Sequence, residues 1–211
     1  MILLMFADRH EAAIRLAAEV GRYRGLNPLV LGIPRGAVPM ARVIADELAG
    51  EVDVTLVRKL GAPGNPEFAV GAVDETGWSH VAAHARGTGA DAAYLEQETR
   101  AQVEVLKARR AAYTAIRPAA DPLGRIVIVV DDGLATGATM IAALHALRAR
   151  KPAKLICAVP VAPPETVEDV SHHCDEMVCL EAPGNFHSVG QFYRRFEQVS
   201  DAEVIAALKA F

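Results

Sequence analysis

Apolar positions along this chain follow two rhythms. Short runs rich in valine, isoleucine and leucine recur: Leu29 to Ile33, Val52 to Val57, Lys154 to Val161, Glu176 to Leu180 and, unbroken, Ile126 to Val130. Between them, apolar residues recur at helical spacing, as with Ile141, Leu144 and Leu147. Unbroken β-branched runs suit strands buried on both faces of a parallel sheet, and the intervening stretches suit amphipathic helices laid on those faces. Helix boundaries are marked chemically. Asp8 and Glu11 form a capping box for a helix ending near Arg22, before Gly25, Asn27 and Pro28 break the pattern. Further helices are predicted from about Pro39 to Leu48, from an Asp91 cap to about Ile116, from Pro163-Pro164 to near His173, and beyond a Ser200–Glu203 box. Phe68 to Val73 and Trp78 to Ala83 read as a hairpin around Asp74 to Gly77. Residues 58–67, with two glycines and two prolines, read as a mobile loop.

This alternation predicts an α/β fold: a mainly parallel sheet flanked by helices, with right-handed crossovers. Ligands of such sheets sit at the strands' C-terminal ends, so the loops at 34–38, 58–67 and 131–139 are expected on one rim. Residues 1–182 form the expected core. Residues 183–211 form a small C-terminal hood carrying Phe186, Phe192, Tyr193 and Phe196.

The stretch with the clearest chemistry is Ile126 to Thr139, IVIVVDDGLATGAT. A buried strand ends in Asp131 and Asp132. Gly133, Leu134, Ala135, Thr136, Gly137, Ala138 and Thr139 then lead into a helix. A phosphate needs backbone N–H donors at close range, and the first helical turn offers them with a favourable dipole. Thr136 and Thr139 add hydroxyls. The aspartates would repel a phosphate, but they suit two neighbouring hydroxyls or a hydrated divalent cation. A ribose 5-phosphate presents both a diol and a phosphate. The loop lacks the lysine of a nucleotide P-loop and the G-x-G-x-x-G of a dinucleotide site. An ordinary Asp-Gly turn explains Asp132 and Gly133 but not the full run.

Two other stretches belong to the same rim. In Ile33 to Ala41, IPRGAVPMA, Arg35 can fork onto a pyrophosphate and Gly36 permits close backbone approach. In Val57 to Val73, Arg58 and Lys59 sit at the loop's base, where a leaving pyrophosphate would need cations; Glu67 is the loop's one carboxylate. Each also reads as a solvated cationic turn. His172, His173, Cys174, Asp175 and Cys179 lack the spacing of a metal finger and read as a helix end.

Composition narrows the class. The net charge of -4 argues against a nucleic-acid surface, and no apolar run reaches membrane-spanning length. The apolar start, Met1 to Phe6, lacks a basic region and a cleavage site, so it reads as a buried lead-in to the first helix rather than a signal peptide. Three cysteines without a CxxC pattern fit a reducing, cytoplasmic compartment.

Residues 127–139, VIVVDDGLATGAT, resemble the phosphoribosyl pyrophosphate motif of the type I phosphoribosyltransferases. IPRGAVPMA is similar to that family's pyrophosphate loop, and VRKLGAPGNPEFAVGAV to its flexible catalytic loop, with an adenine-type flavour. With the long 91–116 helix and FHSVGQFYRRF, the chain resembles a subgroup of predicted phosphoribosyltransferases. The resemblance implies that Asp131 and Asp132 take the ribose hydroxyls and that Ala135 to Thr139 hold the 5-phosphate. It implies that Mg²⁺ arrives with the substrate, partly through water, and that Arg35, Arg58 and Lys59 face the pyrophosphate. Phe186 and Tyr193 are the hood's stacking candidates, and a homodimer is expected. The implied reaction is transfer from phosphoribosyl pyrophosphate to a small acceptor base; a ligand sensor without transfer activity is the alternative. One departure stands out. In 6-oxopurine enzymes the fifth motif residue is an aspartate proposed as general base, and here it is Ala135.

Overall fold

A computed structural model describes residues 5–116 and 118–209. Five parallel strands form the main sheet: β1 (Leu29–Gly32), β2 (Glu51–Val54), β6 (Ile126–Val130), β7 (Lys154–Val161) and β8 (Glu176–Glu181). Their order is β2-β1-β6-β7-β8, which puts β6 at the centre. The mainly parallel sheet flanked by helices is therefore present as the apolar rhythm predicts.

The reason for the unbroken runs is visible in β6. Ile128 and Val130 pack towards α1 (Arg9–Glu19) and α2 (Ala37–Leu48), while Val127 and Val129 pack towards α4 (Ala138–Ala149). Side chains alternate across a strand, so one covered on both faces has no polar positions to spare. Val127 to Val130 are all fully buried. Polar groups can enter only where the strand ends, and there the two aspartates begin.

The stretch read as a mobile loop is built differently. Residues 57–62 form β3 (Val57–Ala62) and residues 65–74 form β4 (Asn65–Asp74), an antiparallel hairpin extended by β5 (Ser79–Val81). Its glycines and prolines serve a tight turn and an irregular register within that hairpin. Gly64 takes the left-handed conformation, and pairing shifts on both sides of Gly61, where a side chain would strike the Pro66 backbone. Pro66 sits beyond the stretch of β4 that pairs with β5, so its missing N–H leaves no gap in that ladder. This small sheet packs through Leu60, Val70 and Val73 against Leu106 and Tyr113 of the long helix α3 (Ala92–Thr114). Trp78 stacks on His145 of α4, with ring centroids 3.5 Å apart.

The strand expected over 52–57 stops at Val54, and the chain turns through Thr55 and Leu56 into β3. The apolar lead-in is divided: Phe6 is fully buried, Met5 is exposed, and Met1 to Leu4 lie outside the described residues. Asp8 caps α1 by accepting from the His10 and Glu11 amides, and Glu11 reaches back to the Ala7 amide at 2.6 Å. No helix among the described residues is long and apolar enough to cross a membrane.

After α5 (Pro164–Ser171) and β8, the chain returns across the front of the sheet through a 3-10 turn at Val189–Phe192 and ends in α6 (Asp201–Lys209). Phe192 and Tyr193 are buried against Phe6 and the α1–α2 layer, while Val204 and Leu208 anchor α6 beside Val38 and Leu60. Ser200 and Glu203 form the reciprocal box at the start of α6: the Ser200 hydroxyl accepts from the Glu203 amide, and Glu203 accepts from the Ser200 amide at 2.7 Å. Loss of an N-cap side chain costs about 1 kcal/mol. Ser200→Ala is therefore expected to lower Tm by roughly 2–4 °C in calorimetry.

Candidate functional site

A cleft of about 370 Å³ opens at the C-terminal ends of β1 and β6. Its lining includes Arg35 and Gly36 from the β1–α2 turn, Lys59 from β3, and Asp131 to Gly137 and Thr139 after β6. All three stretches expected on one rim contribute here, the 58–67 stretch through Lys59 of strand β3 alone. A larger groove, about 600 Å³, lies between α1 and the edge strand β8, but its Arg22 is ion-paired with Glu176 and it has no glycine loop.

The phosphate half is made by the turn into α4. Gly137 is the N-cap, with φ 73°, a left-handed conformation that suits glycine; a methyl there would lie 2.9 Å from Val170 Cγ2. Leu134 and Ala138 turn their side chains into the core, so only their backbone serves the loop. Thr166 fixes the loop from behind, its hydroxyl donating to the Ala135 carbonyl at 2.7 Å. Ala135 and Thr136 are exposed. The result is a turn whose small residues leave the first N–H groups of α4 facing the cleft, a natural seat for an anion.

The acidic half lies beside it. The Asp132 amide donates to Asp131 Oδ1 at 2.9 Å. Burial pushes the Asp131 carboxyl well above the usual carboxylate range, and the neighbouring Asp132 charge pushes it further. Burial also raises Asp132, opposed by Arg9. Arg9 was not singled out by sequence. Its Nε and Nη2 both donate to Asp132 Oδ2, at 2.8 and 2.7 Å. Gly36 closes against this pair: a methyl there would run into the Asp132 carboxylate and come within 3.1 Å of Arg9 Nε. The Pro34–Arg35 peptide beside it is cis.

The other expected residues are distributed unequally. Strand alternation sends Arg58 and Lys59 to opposite faces of β3. Lys59 is exposed to the cleft, and its charge acts on both aspartates. Arg58 faces α3, where the charges of Arg109 and Glu98 act on it, and among the described residues its Nε has no hydrogen-bond partner. Burial and Arg109 press its pKa below the ordinary value. Arg35 reaches 3.9 Å from Asp201 and remains partly exposed. The side chain of Glu67 lies outside the described residues.

The hood aromatics fall otherwise than the stacking expectation. Tyr193 is 5% exposed, and its hydroxyl donates to the Asp132 carbonyl at 2.6 Å. Burial raises its phenol strongly. Phe186 packs on Phe192, with centroids 5.3 Å apart. Neither lines the cleft; Val189 and Phe196 do, together with Ile33 and Pro34. No local signal separates Phe196 from its aromatic neighbours in the sequence, and Arg9 reads there as one more helical arginine.

Two adjacent carboxylates are the donor type that a hydrated divalent cation accepts. Among the described residues no group of three or more His, Cys, Asp or Glu side chains is placed to cage a metal.

A buried carboxylate raised on folding destabilises the protein as pH rises, because the folded state resists giving up a proton that the unfolded chain releases near pH 4. Asp131→Asn keeps an acceptor for the Asp132 amide and removes that penalty. Thermal melts of the ligand-free protein should show a higher Tm for Asp131→Asn at pH 8, with the gain shrinking towards pH 4.

The family model for the phosphoribosyl transferase domain matches residues 6–197. Two curated Mycobacterium tuberculosis proteins provisionally named as phosphoribosyl transferases are each 42% identical over 205 residues, 97% of this chain. The match covers 46% of each, so the chain spans about half the length of the curated relatives it matches. The crystal structure of a Thermus thermophilus protein is 46% identical, with a TM-score of 0.81, covering 97% of this chain and 98% of that one.

Proposed function

The chain belongs to the phosphoribosyl transferase family, and from that premise we propose that it transfers a 5-phosphoribosyl group from phosphoribosyl pyrophosphate to a ring nitrogen of a small acceptor base, releasing pyrophosphate. One observation carries the reading: a glycine-capped helix start and a pair of carboxylates lie side by side in one cleft. Only a ligand with a phosphate at one end and hydroxyls next to it uses both.

In this reading the 5-phosphate takes the N–H groups at the start of α4 and the hydroxyls of Thr136 and Thr139. The ribose hydroxyls donate to Asp131 and to Asp132 Oδ1, since Oδ2 is committed to Arg9. Arg35 and the Gly36 backbone meet the pyrophosphate, and Lys59 offsets its charge as it leaves. Asp131 and Asp132 are the residues that would hold a magnesium ion, which would supply further neutralisation of the phosphates. Catalysis then rests on position and charge, with no covalent nucleophile. Arg58, turned to α3, takes no part. The acceptor lies against Ile33, Val189 and the edge of Phe196.

Pyrophosphate release from phosphoribosyl pyrophosphate and Mg²⁺, assayed over a panel of nucleobases, tests the proposal. Tight binding of phosphoribosyl pyrophosphate with silence across the panel would make the protein a sensor instead. Charge-assisted hydrogen bonds contribute about 1.5–3 kcal/mol each. Asp132→Asn should accordingly weaken phosphoribosyl pyrophosphate roughly ten- to a hundredfold in calorimetry. Lys59→Ala should lower kcat/KM by about tenfold or more, while Arg58→Ala stays within about twofold; equal losses in the two would refute the assignment on β3.

A further inference from the structure

Arg9 joins three parts of the chain that are remote in sequence. It is the first residue of α1, it lies 123 residues from Asp132, and its side chain is only 16% exposed. Nε and Nη2 converge on Asp132 Oδ2. Nη1 donates to the Glu197 carbonyl at 2.6 Å. The guanidinium lies over the Phe196 ring, 3.9 Å from its centroid. All three nitrogens and one face of the group are therefore engaged. A planar guanidinium fixed at both ends behaves as a rigid strut, which a lysine cannot imitate.

The same segment is fastened to the site twice more. Tyr193 donates to the Asp132 carbonyl, and residues 192–195 run beside the start of the chain. There the Phe6 amide donates to the Phe192 carbonyl at 2.8 Å, and the amides of Arg194 and Arg195 donate to the carbonyls of Phe6 and Ala7 at 2.9 and 3.0 Å. Among the described residues Asp132 Oδ1 has no hydrogen-bond partner. A hydroxyl that engages Oδ1 must orient the carboxylate, and that carboxylate is tied through Oδ2 to Arg9, Glu197 and Phe196.

We propose that Arg9 is a positioning residue: it orients Asp132 for the sugar hydroxyls and transmits their binding to residues 192–197, of which Phe196 lines the cleft. The identity of the ligand rests on the phosphoribosyl reading; the link between Asp132 and the C-terminal segment does not.

Hydrogen exchange at the Arg194 and Arg195 amides tests the link in the full chain. Arg9→Met and Asp132→Ala should each speed exchange about tenfold, and the double variant should be no faster than Arg9→Met alone, because the two side chains act in series. Arg9→Lys should fall between wild type and Arg9→Met, and it carries the cycle if Arg9→Met does not fold. Ribose 5-phosphate should slow these amides in the wild type and not in the Arg9 variant. The proposal is overturned if Asp132→Ala leaves the amides unchanged, if the two effects multiply, or if bound ribose 5-phosphate leaves wild-type exchange unaltered. Absence of any ribose 5-phosphate binding to the wild type in calorimetry counts against the phosphoribosyl reading, while the exchange cycle still decides the role of Arg9.

Discussion

Two adjacent carboxylates stand at the end of a strand that is covered on both faces, and most of the local architecture compensates for that. A strand like β6 cannot carry polar side chains along its length, so the charges crowd at its mouth, where desolvation and mutual repulsion both raise the cost of ionisation. Compensation comes from two distant cations and one adjacent amide. Arg9 at the start of α1 pairs with Asp132, Lys59 on β3 acts on both groups, and the Asp132 amide supports Asp131. The placement of α1 beside the C-terminal segment, and of the small sheet beside α4, brings those cations within range. A pair so expensive to bury has little structural use of its own, and strain of this kind concentrates where a ligand is to be met.

How legible this was depends on whether the signal is local. The buried strands announced themselves, because a sheet covered on both faces needs continuous apolar runs such as Ile126 to Val130. The turn into α4 is legible for a similar reason, since the N–H groups it offers belong to its own backbone. The hairpin over 57–74 reads as a loop in the sequence because Gly61, Gly64 and Pro66 are loop formers taken singly. In the fold they make one turn and one bulge. Once β3 is a strand, the opposite fates of Arg58 and Lys59 follow from alternation alone. Arg9 had no such route to recognition. Its partner is 123 residues away, and nothing near it in sequence distinguishes it from Arg15 or Arg22. Tyr193 was assigned to a ligand because aromatic residues in a hood invite it, but its hydroxyl had a nearer partner in the Asp132 carbonyl.

The aromatic cluster of the C-terminal segment now reads as architecture first. Tyr193 stacks on Phe196 with centroids 4.9 Å apart and meets Phe6 at a tilt 5.4 Å away, and Phe186 lies on Phe192. Phe196 is the one aromatic of the segment that reaches the cleft, and it is already covered by the Arg9 guanidinium and the Tyr193 ring. Those neighbours already take part of the ring's face, and Phe196 remains 37% exposed. Under the proposed function, acceptor choice would then depend on the shape of the gap between Ile33, Val189 and the Phe196 edge as well as on stacking. That gap is bounded on one side by the strut that holds Asp132. Acceptor fit and sugar binding would share Arg9 as a common wall, so a substitution there alters both together, whereas changes at Phe186 act only through the core beneath.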